Sequence, residues 1–180
     1  MIIMAKVVLP LPDGFDEIEA FTIIDVLRRA GIEVFIAGAP SKFVTSMHGV
    51  KTQADGMFDE IDLNRYDALI LPGGAGYMNL VNSSIMINAI SDFSKKGKIL
   101  GAICGAPMAF VKAGILQGKR ATIAPGLEKN LDMPRGEKVV VDGNIITSQG
   151  PGTAMEFSLK IVELLLGKPK ALQMKQHLLA

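Results

Sequence analysis

Short apolar runs alternate with stretches of helical spacing along the whole chain. Lys6–Leu11 carries Val7, Val8 and Leu9 and is stopped by Pro10 and Pro12, which predicts a buried strand. Asp13-Gly14 is turn chemistry. Over residues 16–30 the apolar positions fall at Ala20, Ile23, Ile24 and Leu27, the spacing of one helix face. Arg28 and Arg29 suit its last turn, and Gly31 stops it. Residues 33–39 form the second predicted strand. Residues 43–59 are less regular and fit a hairpin or short edge strands around His48-Gly49 and Asp55-Gly56. Ala68–Leu71 predicts a third buried strand, ended by Pro72-Gly73-Gly74. The next helix places Ile85, Ala89, Ile90 and Phe93 on one face and closes at Gly97. Ile99–Ile103 is a fourth strand running into Cys104, and a helix over 106–113 ends at Gly114. Residues 121–123 read as a further strand. Residues 137–141 and 144–148 flank Asp142-Gly143, a hairpin signal. Residues 152–166 are the last long helix, and 169–180 a short amphipathic one presenting Leu172, Met174 and Leu178.

Buried strands separated by helices predict an α/β fold with a mostly parallel central sheet, helices on both faces and one β-hairpin. No linker, repeat or low-complexity tract interrupts the 180 residues, so 1–180 is expected to be a single domain. A chain of this size buries roughly 70% of its extended surface and needs no staple.

Composition removes several classes of function. One Cys excludes a disulfide framework and a multi-Cys zinc site, and two His, at 48 and 177, do not supply a His-rich metal cluster. A net charge of +1 gives no electrostatic case for nucleic acid. No run approaches the roughly 20 apolar residues needed to span a bilayer. The apolar start, residues 1–5, lacks a basic n-region and is expected to lead into the first strand. A cytoplasmic location with a reduced thiol, no metal and no cofactor are the expectations.

In open α/β sheets, sites gather at the carboxyl ends of strands. Three Gly- or Pro-rich strand-to-helix turns are expected there: 13–19, 72–76 and 104–107. Cys104 ends a strand and precedes a helix, a position that resembles a nucleophile elbow. A helix N-terminus favours thiolate, and the Gly105 amide with one from Gly73-Gly74 would form an oxyanion hole. The other reading is a small buried hydrophobe. Glu19 shares a face with Ile23 and Val26, so its carboxyl would be desolvated and held protonated. It also has capping-box spacing from Asp16, which needs no chemistry at all. Gly150-Pro151-Gly152-Thr153 with Glu156 reads as a loop and helix cap beside the same edge. His48 is either a solvated loop residue or a distant partner for Cys104, and His177 is surface. Residues 72–76 lack the Lys-Ser/Thr of a P-loop and the spacing of a dinucleotide fingerprint, so nucleotide binding is rejected.

Four segments together resemble the ThiJ/PfpI superfamily, and within it the branch of the parkinsonism-associated deglycase and its bacterial relatives. They are Asp13-Gly14-Phe15-Asp16-Glu17-Ile18-Glu19, Leu71-Pro72-Gly73-Gly74, Ala102-Ile103-Cys104-Gly105-Ala106-Pro107 and Gly150-Pro151-Gly152-Thr153. The similarity covers residues 6–176, in the family order. It implies a flavodoxin-like three-layer sandwich that forms a homodimer. It also implies that Cys104 is the nucleophile and Glu19 a protonated acid touching its sulfur. Gly74 and Gly105 match the oxyanion amides, and Gly73, Ala106, Ala124, Pro151 and Gly152 would border the pocket. The family Cys is easily oxidised to sulfinate.

The departures are as specific as the matches. Ala124-Pro125 stands where the deglycase-type site has His-Pro, so a proton shuttle is missing. Gly105 stands where the peptidase branch has His, which argues against a Cys-His peptidase. Gln149 replaces an Arg of the human relative. The resulting expectation is a cysteine-dependent enzyme acting on small reactive aldehydes such as methylglyoxal, or on their adducts. The rivals are a redox-sensing or chaperone-like stress protein that oxidises Cys104 without turnover, and a structural dimer with an inert thiol.

Overall fold

The computed structural model describes residues 4–180; residues 1–3 of the expected lead-in lie outside the described residues. In chain order the elements are β1 (Lys6–Leu11), α1 (Glu17–Arg29), β2 (Glu33–Gly38), β3 (Phe43–Thr45), β4 (Lys51–Gln53), β5 (Gly56–Met57), β6 (Ala68–Leu71), α2 (Tyr77–Asn82), α3 (Ser84–Lys95), β7 (Ile99–Ile103), α4 (Pro107–Lys112), β8 (Arg120–Ala121), β9 (Met133–Pro134), β10 (Val139–Asp142), β11 (Ile145–Ser148), α5 (Ala154–Leu166) and α6 (Lys168–Leu178). Seven strands form one sheet in the order β10-β11-β7-β6-β1-β2-β5, parallel except for β10. The central strands are buried on both sides, as their unbroken apolar runs require.

Successive residues of β1 point to opposite cores. Val7, Leu9 and Leu11 face one layer with α1, α5 and α6, whereas Val8 joins Leu69, Leu71 and Leu100 against α2, α3 and α4. This is the expected flavodoxin-like sandwich. Asp16 caps α1 through the Glu19 amide, 3.0 Å away, and Gly31 leaves it at φ +86°.

Several expected details differ. The strand over 121–123 shrinks to β8, which pairs with β9 outside the main sheet; the Thr122 amide instead donates to Thr147 Oγ1 at 2.9 Å. The β10–β11 turn is Gly143-Asn144, one residue later than expected, with Gly143 at φ +64°. Asp142 stays in its strand, where its carboxylate accepts from the Arg120 amide. Residues 43–53 make the β3–β4 hairpin, and β5 extends the sheet edge. Ile85 points outward, and Met86 takes its place beside Ala89, Ile90 and Phe93. In α6 the core side is Ala171 and Met174, while Leu172 is exposed. Phe15, within the first family-like segment, is fully buried. No helix among the described residues is long and apolar enough to cross a membrane.

Candidate active site

Three strand ends bring the predicted residues together. Cys104 follows β7 at φ +63°, left-handed backbone that side-chain-bearing residues rarely adopt. That is the geometry of an elbow, and its neighbours hold it from both sides. The Cys104 amide donates to Ser148 O at 3.0 Å, and its carbonyl accepts from the Ala124 amide at 2.9 Å. The thiol residue is half-buried, not sealed in the interior.

Glu19 arrives from the first turn of α1 and is completely buried. Its carboxyl does not close a capping box. The Asp16 amide donates instead to Gly73 O at 3.1 Å, and the Gly73 amide donates to Glu19 Oε2 at 2.8 Å. The Gly73 peptide thus takes both sides of the cap across the strand edge. A Cβ on Gly73 would stand 2.6 Å from both Cys104 Cβ and Glu19 Oε2, so only glycine fits. Glu19 Oε1 is buried with no hydrogen-bond partner.

The backbone amides of Gly74 and Gly105 lie near the Cys104 sulfur and favour its anion. Ala106 lies buried at the start of α4, and Ala124 contributes its backbone. Pro151 and Gly152 belong to the turn that follows β11. Both are exposed in a single helical turn before α5, and Gly152 lines a groove between α5 and α6. Their link to Cys104 runs through Thr153, whose hydroxyl is 2.6 Å from Ser148 Oγ. Thr153 also closes the turn on Gly150, so the expected cap through Glu156 is not the one formed.

The electrostatics revise one expectation. Burial and the charge of Asp16 raise the Glu19 carboxyl from 4.5 to about 7, against the Gly73 amide and the thiol. Burial and the charge of Glu19 push the Cys104 thiol up to about 11, against the Gly74 and Gly105 amides. Burial of the sulfur opposes the thiolate that its position at the start of α4 favours. The raising influence of Glu19 on the thiol belongs to the ionised carboxylate. With the proton on Glu19 that influence is gone, and the two amides face the sulfur unopposed by a neighbouring charge.

His48 is not brought to Cys104. Its Nδ1 lies 2.8 Å from Glu17 Oε2, and Glu17 also accepts from Ser46 Oγ and the His48 amide. The Glu17 carboxyl is lowered to about 2 by the Ser46 and His48 hydrogen bonds, and the His48 ring is raised by Glu17. Among the described residues no three His, Cys, Asp or Glu side chains gather to hold a metal ion. A cavity of about 370 Å3 between Phe58, Leu80, Asn82 and Met86 lies away from Cys104.

Sequence reasoning missed Tyr77. Its ring covers Gly105, where a Cβ would come within 2.6 Å of ring carbon Cδ1. A side chain at 105, such as the His of the peptidase branch, would collide with that ring. The signal available was an aromatic residue opening a helix directly after the glycine turn.

Comparison with known proteins matches residues 5–164 to the DJ-1/PfpI family. Protein DJ-1 homolog B of Arabidopsis thaliana is 40% identical over an alignment of 176 residues that covers 95% of this chain and 40% of that protein. This chain spans less than half the length of the two Arabidopsis relatives it matches. A glutathione-independent glyoxalase of Caenorhabditis elegans is 34% identical, over 92% of this chain and 90% of its own. A deglycase of Thermococcus kodakarensis is 29% identical, over 89% and 99%. Drosophila melanogaster DJ-1beta superposes with a TM-score of 0.94 at 35% identity, covering 99% of both chains. An oxidized DJ-1 of Toxoplasma gondii gives 0.93 at 34%, covering 97% and 98%.

Proposed function

The chain belongs to the DJ-1/PfpI family, and from that premise we propose that it is a cysteine-dependent enzyme converting small reactive dicarbonyls, methylglyoxal first among them, to hydroxy acids. One observation carries the reading: a cysteine at φ +63° stands beside a buried acid and beneath two converging amides. The Cys104 sulfur adds to the aldehyde carbon as its S–H proton passes to the aldehyde oxygen, which lies against the Gly74 and Gly105 amides. Glu19, raised to about 7 and acting in its ionised form, takes the proton from that carbon and returns it to the neighbouring carbonyl carbon through an enediol, while the hydroxyl proton passes from the first oxygen to the second. The product is a lactoyl thioester on Cys104. Water then cleaves the C–S bond, the thiol regains its proton, and lactate leaves. Glu19 here does the shuttling for which Ala124 has no side chain. The names of the glyoxalase and deglycase relatives support the substrate class.

Purified protein incubated with methylglyoxal should form lactate, and Cys104→Ala and Glu19→Ala should not. Equal lactate from wild type and Cys104→Ala removes the proposal.

Oxidation of Cys104 without turnover is the second reading. The absent side chain at Ala124 favours it, as does the unpartnered Glu19 Oε1, which as a protonated acid would donate to a sulfinate oxygen. Mild peroxide should add two oxygens to the intact mass, and Cys104→Ala should gain none.

The protein is further proposed to act as a homodimer in the cytoplasm. Ile18, Met47 and Val50 expose apolar surface where α1 meets the β3–β4 hairpin.

A further inference from the structure

Tyr77 borders the site from two sides, through its main chain at Gly74 and through its ring at Gly105. Its own amide donates to Gly74 O at 3.1 Å. Its ring lies on Gly105, with Cδ1, Cε1 and Cγ at 2.6, 2.8 and 2.9 Å from where a Cβ would stand. The contact is made by the flank of the ring, and the half-buried side chain packs into the core layer of α2–α4. Gly105 has no side chain of its own to fix its peptide, and glycine has the widest choice of backbone states. The ring removes that choice from one side.

We propose that Tyr77 is a positioning residue whose ring holds the Gly105 amide toward Cys104, taking the space a side chain at 105 would fill. The proposal rests on Cys104 being the nucleophile. It does not require that the substrate be a dicarbonyl.

The test compares wild type, Tyr77→Ala and Tyr77→Phe by two readouts. The first is the rate of Cys104 alkylation by iodoacetamide across pH. Tyr77→Ala should move this profile to higher pH by about one pH unit, because misaligned amides stabilise the anion less. Tyr77→Phe, which keeps the ring, should restore the wild-type profile. The second readout is methylglyoxal turnover, where Tyr77→Ala should lose about tenfold or more in kcat with a smaller change in KM. The alkylation profile needs no turnover. If wild type makes no lactate yet the profile shifts in Tyr77→Ala alone, the enzymatic reading falls and the positioning role stands. A Tyr77→Ala profile superimposed on wild type overturns the role, as does a Tyr77→Phe that fails as fully as Tyr77→Ala. A double variant guards against simple misfolding. Gly105→Ala alone should clash with the ring, and adding Tyr77→Ala should relieve that clash, raising Tm above that of Gly105→Ala. Strictly additive losses overturn the contact.

Discussion

Glu19 and Gly73 are joined by one hydrogen bond, 2.8 Å from the glycine amide to Oε2, and that bond decides what the other carboxyl oxygen faces. Oε1 is left buried without a hydrogen-bond partner. A buried oxygen without a donor is costly as part of a carboxylate and tolerable as the O–H of a neutral acid. The same bond sets the limit on position 73, since it draws Glu19 and Cys104 to the spot a Cβ would need.

Glu19 should therefore make the protein less stable as pH rises. Folding lifts its carboxyl from 4.5 to about 7, so the folded state holds the proton more tightly than the unfolded chain. The stabilisation is complete below about 4.5 and is lost as pH rises through about 7. At about 1.4 kcal/mol per pH unit the difference is on the order of 3 kcal/mol. Urea unfolding of wild type and Glu19→Gln from pH 4.5 to 8 measures it. The gap between the two proteins should move in favour of the variant with rising pH; a constant gap contradicts a buried neutral acid.

Cys104 offers a test of backbone strain. At φ +63° any side chain costs on the order of 1 kcal/mol, and glycine avoids it. Cys104→Gly should be more stable than Cys104→Ala by about that amount, although glycine loses more chain entropy on folding. Thermal unfolding of the two variants decides the order. The reverse order would mean that the Ser148 and Ala124 hydrogen bonds hold an unstrained turn.

What was legible in the sequence follows the range of the forces involved. The strands β1, β6 and β7 were readable to the residue because unbroken apolar runs ended at Pro12, Pro72 and Cys104. Ile85 was misplaced because Ser83 starts a new helix by accepting from the Met86 amide, and this break turns the face by one residue. The capping-box spacing of Asp16 and Glu19 was real, yet only the Asp16 half formed. Gly73, some fifty residues away, supplied the other partner, and no local pattern encodes that. Tyr77 escaped for the same reason. Its role exists only after α2 folds back over the residue following Cys104. The push that burial gives the Cys104 thiol, upward and against its position, was not readable because desolvation depends on the whole packed edge.

Gly73→Ala should damage stability and chemistry together. The new methyl meets Cys104 Cβ and Glu19 Oε2 at 2.6 Å and Ile103 O at 2.9 Å, and two of these three belong to elements fixed by the sheet. Overpacking of this kind costs about 1–3 kcal/mol. The Glu19 carboxyl is the neighbour able to move, and moving it breaks its bond to the Gly73 amide. Lactate formation should fall at least as far as in Glu19→Gln. A variant with wild-type Tm and turnover would show that the edge is looser than its distances.

The proposed dimer is the remaining question that a single side chain can answer. Ile18 is 60% exposed near the start of α1. It follows Glu17, whose carboxylate gathers Ser46 Oγ, the His48 amide and His48 Nδ1, so the β3–β4 hairpin is clamped to the start of α1. The clamp brings Met47 and Val50, 43% and 44% exposed, to the same side. Ile18→Glu puts a charge into this patch without touching the core, and should leave Tm of the monomer near its wild-type value. Light scattering should then report a dimer for wild type and a monomer for the variant at micromolar concentration. A lowered pH protonates His48, which its bond to Glu17 favours, so acid alone should not open the clamp until Glu17 itself titrates near 2. A dimer that persists in Ile18→Glu would place the contact on another face, and one that dissolves in wild type between pH 6 and 4 would show that Glu17 and His48 do not hold the hairpin.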